Sequence, residues 1–434
     1  MLKLQRPDPN LVRVSAARFI SRAGGEAAFF VGIWGKATYD LNSTPGQLAL
    51  LMGVMGVMAL LGTTVAGLLV DRFDPKRVMF FGEIAFVPSA IAPMFADTME
   101  QMTLSIAVLS LVSMVVYTSV ASFPPYLTDD DEKLKGINGA LESAGNLAFV
   151  AGPAIGALIV KFGEIDQIFL FDAITSLVAA ALILKVKVRD LVPRDGLDSE
   201  RKPKRSAIRE IKEGFAFSYS KRTIRLFITT STATWIAFGA FGAVEPLFYR
   251  DVLEVGPETL GWVNAIFGLG MITGSVLLVK MPERLMTARS VVIGVTLSGL
   301  CAVLYSGTAD LRVVALGAVV WGIVLGVLFP MSRTLTQRAT PDGMYGRVTG
   351  AVNVHAHIGE LLPLTFVPAL AALVGVQAVL VGAGVLLSVL SLTRYREANR
   401  VDAMLPVTHQ AHEGEVGRDA AHLSPEDEPI SPVV

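Results

Sequence analysis

The sequence predicts an all-α integral membrane protein with twelve transmembrane helices arranged as two six-helix bundles. Three observations carry this. Of 434 residues, 52% are hydrophobic and only 17% charged, whereas a soluble domain has about 45–50% apolar and ~25% charged residues. Twelve runs are long and apolar enough to span a bilayer, which takes about 20 residues each. Lys and Arg are segregated to alternate connections, and one long connection divides the runs six and six.

The runs cover 13–35, 46–70, 78–96, 102–125, 137–161, 167–186, 223–248, 258–279, 288–307, 312–332, 345–373 and 376–393. The first, seventh and eleventh carry internal charge. Ahead of the first lie Lys3, Arg6 and Arg13. No cleavable leader is expected there, and the first span serves as its own insertion signal. With both termini on one side, the opposite loops hold Lys36, Lys161, Arg250 and Arg312, and nearly all other cations face the termini. The positive-inside rule makes that side cytoplasmic and the location the plasma membrane. Segment 1–188 then forms the first bundle and 223–400 the second. Between them lies a cytoplasmic linker, 189–222, polar around Pro193 and Pro203. Its second part places Ile208, Ile211 and Phe215 at helical spacing, as in an amphipathic helix on the inner membrane surface. The tail from 401, with Pro425, Glu426, Asp427, Glu428, Pro429 and Pro432, reads as disordered.

Between the second and third spans runs Gly67-Leu-Leu-Val-Asp71-Arg72-Phe-Asp-Pro75-Lys76-Arg77. Charge this dense between two apolar runs belongs in a short loop at the water surface. The segment resembles the signature loop of the major facilitator superfamily. The resemblance implies that Gly67 lets helices approach. It also implies that Asp71, Arg72, Lys76 and Arg77 make contacts that hold one gate shut, with Asp71 facing the positive N-terminal end of the eleventh span. The second half has only a partial copy, Gly274 to Arg284, without Asp-Arg. A weak repeat supports two related halves. Gly136-Ile-Asn-Gly-Ala and Gly346-Arg-Val-Thr-Gly-Ala open the fifth and eleventh spans, and each continues to a mid-helix proline, Pro153 and Pro363.

In the fifth span, Gly152-Pro153-Ala-Ile-Gly156-Ala157 resembles the Gly-Pro-x-x-Gly-Gly motif of superfamily exporters, with Ala157 for the last glycine. Plain close packing of small residues is the competing reading. In the first span, Arg18, Arg22 and Glu26 lie at i, i+4 and i+8 and share a face. Glu26 sits ~20 Å along the helix from Arg13. An ionisable group at that depth costs at least ~2.5–3.5 kcal/mol to insert and is a functional candidate. It either takes up a proton or a cationic substrate, or locks the helix in a static pair with Arg22.

Glu142 and Asn146 share a face of the fifth span, and His357 and Glu360 pair at i, i+3 in the eleventh. A histidine beside a carboxylate suits a proton switch, and an interhelical hydrogen bond equally. Glu83 can pair with Arg77 at the gate. Glu245, before Pro246, belongs to an outer gate, and Asp172 reads as structural. Cys301 reads as a small buried filler. Ser113, Thr118, Trp235 and Trp321 are expected in an otherwise apolar cavity. The fourth span has no Lys or Arg, whereas many proton-coupled exporters of the superfamily carry an arginine there.

There is no P-loop, metalloprotease, nucleophile-elbow or paired-cysteine motif, so no enzyme, metal site or cofactor is expected, and a proton gradient becomes the driving force. The net charge of −1 carries no nucleic-acid signal. The expected partners are a small-molecule substrate and the lipid bilayer, with the protein acting as a monomer. Together these features resemble the macrolide, multidrug and siderophore efflux group. The function expected is proton-coupled export of a hydrophobic or amphipathic molecule by alternating access. An importer or lipid-handling transporter on the same fold, and a non-transporting sensor or scaffold, are the alternatives.

Overall fold

The computed structural model describes residues 8–128, 130–188, 207–341 and 343–403, and of residues 71, 131 and 207–211 the backbone alone. Helix α1 (Pro9–Ala27) starts where the Asp8 carboxylate accepts the Asn10 N–H at 2.8 Å, with proline in the first turn. It continues through two π-helical stretches, Ala28–Ile33 and Lys36–Asp40. The first helical segment is therefore longer than the run 13–35. A capping box between Thr44 and Gln47 opens α2 (Pro45–Arg72), and Asp74 caps α3 (Pro75–Ile91). There follow α4 (Met99–Ser122), α5 (Asp131–Phe162) and α6 (Asp166–Leu184). Helix α7 (Ala207–Ser220) precedes α8 (Arg222–Asp251), α9 (Glu258–Val279), α10 (Ala288–Ser306) and α11 (Leu311–Arg338). The last are α12 (Tyr345–Leu361), α13 (Val367–Val374), α14 (Val376–Thr393) and a short α15 (Tyr395–Asp402). The described residues contain no strand.

Ten of these helices are long and apolar enough to cross a membrane, and an eleventh span results if α12 and α13 are taken together. The expected count of twelve is thus met to ten or eleven by this test. Helix α1 falls short because Arg13, Arg18, Arg22 and Glu26 interrupt its apolar surface. The two mid-helix prolines behave differently. Helix α5 runs unbroken through Pro153, but Pro363 falls in a 3-10 turn and α13 leaves at 43° to α12. A proline removes one backbone hydrogen bond; here a second, Pro368, stands in the first turn of α13, so the chain changes direction between them.

Within each half, glycines set how close helices come. On α9 and α11, Gly270, Gly274, Gly322 and Gly326 face one another: a Cβ on Gly270 would lie 3.1 Å from the Gly322 Cα, and one on Gly274 3.0 Å from the Gly326 Cα. This is the small-xxx-small crossing of membrane helices, in which backbone meets backbone. On α5, a Cβ at Gly152 would come within 2.6 Å of the Ala23 carbonyl and of the Glu26 Cβ. Gly156 packs likewise on Val31, and the glycine face of α5 thereby seats α1.

Between the halves, α5 crosses α9, with Gly261 beneath the Pro153 carbonyl, and α2 packs on α8 and on the α12–α13 bend. Hydrogen bonds join the halves at the end away from α7. There Tyr39 donates to the Val255 carbonyl at 2.7 Å, and Arg250 Nη1 donates to the Thr38 carbonyl and Asn42 Oδ1, both at 2.8 Å. Helix α7 does not stand alone. Glu213 pairs with Arg347 at 3.1 Å, Tyr219 meets His355 Nε2 at 2.6 Å, and Phe215 packs on the same imidazole. The expected linker helix therefore docks on α12. The side chains of Ile208 and Ile211, the linker at 189–206 and the tail from 404 lie outside the described residues.

Candidate functional site

Two cavities meet at Phe29, Phe30 and Phe149. The first, of about 410 Å³, lies inside the first half. Helix α1 supplies Arg18, Arg22 and Glu26, one turn apart on one face, as their spacing predicts. Arg22 Nε and Glu26 Oε1 form an ion pair; Glu26 is 7% exposed. Both guanidinium groups lie over the Tyr117 ring of α4, at 5.0 Å for Arg18 and 5.8 Å for Arg22. That is cation–π distance, so the aromatic ring replaces part of the hydration the cations lose. Ser113 also lines this cavity, as expected; Thr118 does not.

The second cavity, of about 460 Å³, lies between the halves and is mainly aromatic. Trp321 sits at its centre, edge-on to Phe241 at 5.0 Å and stacked with Phe238 at 5.6 Å, its indole N–H donating to Ser298 at 2.8 Å. Trp235 stacks with Phe329 at 6.2 Å. Two carboxylates reach this wall, Glu245 and Glu360. Tyr305 donates its hydroxyl proton to Glu245 and in turn accepts from Tyr249 at 2.5 Å. A volume of this size, largely apolar with a few placed polar groups, is the normal form of a small-molecule site.

The other candidate residues divide into three groups. Gly152, Pro153 and Gly156 are packing positions that hold α1 and α9 against α5, so they fix where Glu26 stands. Glu142 and Asn146 are exposed. Asn146 borders a side cleft between α5 and α9, and Glu142 is an electrostatic neighbour of Arg18. His357 lies 3.6 Å from Glu360 but is 69% exposed, so only Glu360 reaches the aromatic cavity.

The loop residues do not span the halves among the described residues. A Cβ on Gly67 would meet nothing within 4 Å, and Arg72 and Arg77 are exposed. Lys76 donates to the Leu184 and Val186 carbonyls at 3.0 and 2.6 Å, capping α6 in its own half. The Asp71 side chain lies outside the described residues. Glu83 turns from Arg77 towards α1 and accepts from Ser21 at 3.2 Å. Cys301 is buried, as expected.

Arg250 was legible in the sequence only as an outer-loop cation. Its two carbonyl partners and Asn42 make it a strap between the halves at the end away from α7. Hydrogen bonds to a charged group contribute about 1.5–3 kcal/mol each. Arg250→Ala is expected to raise the population opened at that end by about tenfold, the equivalent of ~1.4 kcal/mol. Spin labels at the exposed positions Asp40 and Glu254 would report it as a longer-distance population. An unchanged distance distribution would remove the strap assignment.

The Major Facilitator Superfamily model matches residues 14–363 and again 226–409, so it covers both halves. The chain belongs to the Major Facilitator Superfamily. It is 24% identical over 396 residues to the "Uncharacterized MFS-type transporter YfiS" of Bacillus subtilis (strain 168), covering 90% of this chain and 93% of that one. It is 27% identical over 349 residues to the "Multidrug efflux pump Tap" of Mycobacterium tuberculosis (strain ATCC 25618 / H37Rv), covering 75% and 80%. Among solved structures, a bacterial homolog of the human lysosomal transporter Spinster, inward-facing and unoccupied, superposes with a TM-score of 0.69 at 14% identity, covering 92% of this chain and 98% of that one. At that identity the likeness concerns the fold. The protein is a multi-span membrane transporter and not an enzyme.

Proposed function

We propose that this superfamily member is a proton-coupled exporter of amphipathic, largely aromatic or hydrophobic small molecules, working by alternating access. The observation that carries the reading is the joined pair of cavities. An apolar body fits the wall of Trp235, Phe238, Trp321 and Phe329, and a polar or charged end reaches Arg18, Arg22 and Glu26 across Phe29 and Phe30. Similarity to a multidrug efflux pump supports the direction of transport. The coupling group in this reading is Glu26: a proton on it releases Arg22, and its loss restores the pair. A proton driven by the membrane potential gains ~2.3 kcal/mol per 100 mV, enough to bias two states of a rocking transporter.

The basic residues around α7 make that end cytoplasmic by the positive-inside rule, in the cell membrane with both termini inside. The halves are joined at the opposite end, which corresponds to an inward-facing state. The loop of Asp71, Arg72, Lys76 and Arg77 then acts in the other state, when the cytoplasmic ends close. The protein needs no cofactor and works as a monomer in lipid.

The test is efflux of a lipophilic cationic dye from cells expressing the protein, with and without a protonophore. Efflux that stops when the gradient collapses is expected. Efflux that persists without a gradient would sink proton coupling, and inward accumulation of the dye would reverse the direction.

A further inference from the structure

Asp172 on α6 is 1% exposed, and neither of its carboxylate oxygens has a hydrogen-bond partner among the described residues. The Thr175 hydroxyl donates to the Asp172 backbone carbonyl at 2.7 Å. It lies against Gly24 of α1, where a Cβ would stand 2.7 Å from Asp172 Oδ1 and 3.1 Å from its Cα. One turn back on the same face of α1, Ser21 holds the carboxylate of Glu83 from α3. Glu83 is also 1% exposed and is an electrostatic neighbour of Asp172. Two carboxyl groups, one from α3 and one from α6, thus lie against neighbouring turns of α1 at membrane depth.

Among the described residues no cation faces Asp172, and Arg18 is the one that acts on Glu83. From α1, Arg22 is bound to Glu26, and Arg18 lies over Tyr117 of α4 and reaches Glu83 alone of the pair. Lys36 is bound to Asp166 at 2.6 Å. On helix α5, Glu142 is an electrostatic neighbour of Arg18. A buried carboxylate without a partner neutralises itself by binding a proton, and each of two neighbouring carboxylates disfavours the charge on the other, so the doubly ionised pair readily takes one up. Glu83 lines the first cavity while Asp172 is sealed behind it.

We propose that Glu83 and Asp172 form a proton-binding site within the first half, separate from Glu26, in which Asp172 stores the proton and Glu83 exchanges it with the cavity. A proton from cavity water binds a Glu83 oxygen. As the O–H bond on Asp172 forms, that on Glu83 breaks, and Glu83 returns to the carboxylate facing Arg18. The residues α1 places here, Ser21 and Gly24, make the site sensitive to any sliding of α1, the helix that also carries Glu26.

The test is infrared spectroscopy of the purified full-length protein in lipid nanodiscs, without substrate. A protonated-carboxyl band is expected at neutral pH, shifted by isotope-labelled aspartate, lost in Asp172→Asn and retained in Glu26→Gln. Glu83→Gln should keep the band but slow its hydrogen–deuterium exchange by about tenfold or more, as one proton-transfer partner is missing. A wild-type band insensitive to labelled aspartate, or no band at all, would overturn the site, and neither result depends on a variant folding. A band abolished by sodium would overturn it in favour of a metal cation. Since no transport is measured, the result stands apart from the fate of the exporter reading.

Discussion

Gly322→Ala is expected to lower the stability of the folded protein by about 2–4 kcal/mol. In a helix interior alanine is ordinarily favoured over glycine by ~1 kcal/mol. At Gly322 the added methyl would meet the Gly270 Cα and the Met271 N–H, both at 3.1 Å, and the Phe267 carbonyl closer still. These are backbone atoms of α9, which cannot rotate away as a side chain can. The two helices must separate, and the matching contact of Gly274 on Gly326 goes with them. Gly382→Ala in α14 is the control, because its methyl would meet nothing within 4 Å. The control should hold or raise the thermal melting point in detergent while Gly322→Ala lowers it. A Gly322→Ala protein melting with or above the wild type would mean that α9 and α11 do not cross at these glycines.

That crossing shows where reading the sequence stops. Gly270-x-x-x-Gly274 and Gly322-x-x-x-Gly326 are plain in the chain, but it has 40 glycines, and spacing does not say which ones meet. The Gly152 to Gly156 segment was legible as close packing because proline and glycine occur together. Its partner, the Glu26 turn of α1, was not. Periodicity put Arg18, Arg22 and Glu26 on one face, since that depends on one helix alone; the superfamily resemblance put Ser113, Thr118, Trp235 and Trp321 in the cavity, and all but Thr118 line it. The partner of Glu83 depends on how α3 is rotated against α1, and proximity in sequence favoured Arg77, whereas the fold presents Ser21. Arg250 binds two backbone carbonyls, which carry no sequence signature at all. The docking of α7 on His355 escaped for a related reason: an amphipathic stretch shows that it needs a surface, and both a membrane and a neighbouring helix can supply one.

Glu26→Gln is expected to abolish uphill efflux while leaving exchange of substrate down its own gradient. The side chain keeps its shape and can still accept a hydrogen bond from Arg22, so the cavity of Arg18, Arg22 and Tyr117 stays formed. What disappears is a group that can alternate between a charged partner of Arg22 and a neutral one. A second explanation would give the same single-mutant loss. Removing one partner of a desolvated pair strands the other charge, here Arg22, at a cost of about 3–5 kcal/mol, and the helix alone would suffer. The double variant Arg22→Gln/Glu26→Gln separates the two. If the pair is only a lock, removing both charges relieves the stranded cation and much of the uphill activity returns, a large coupling energy in the double-mutant cycle. If Glu26 carries the coupling proton, the double variant stays without uphill transport yet still exchanges substrate, because no acid remains at that turn of α1. The outcome expected is the latter, with exchange within about tenfold of wild type and uphill efflux lost. Recovery of uphill efflux in the double variant would reduce Glu26 to the structural partner of Arg22. The coupling proton would then have to bind elsewhere, with the Glu83–Asp172 pair the nearest buried alternative.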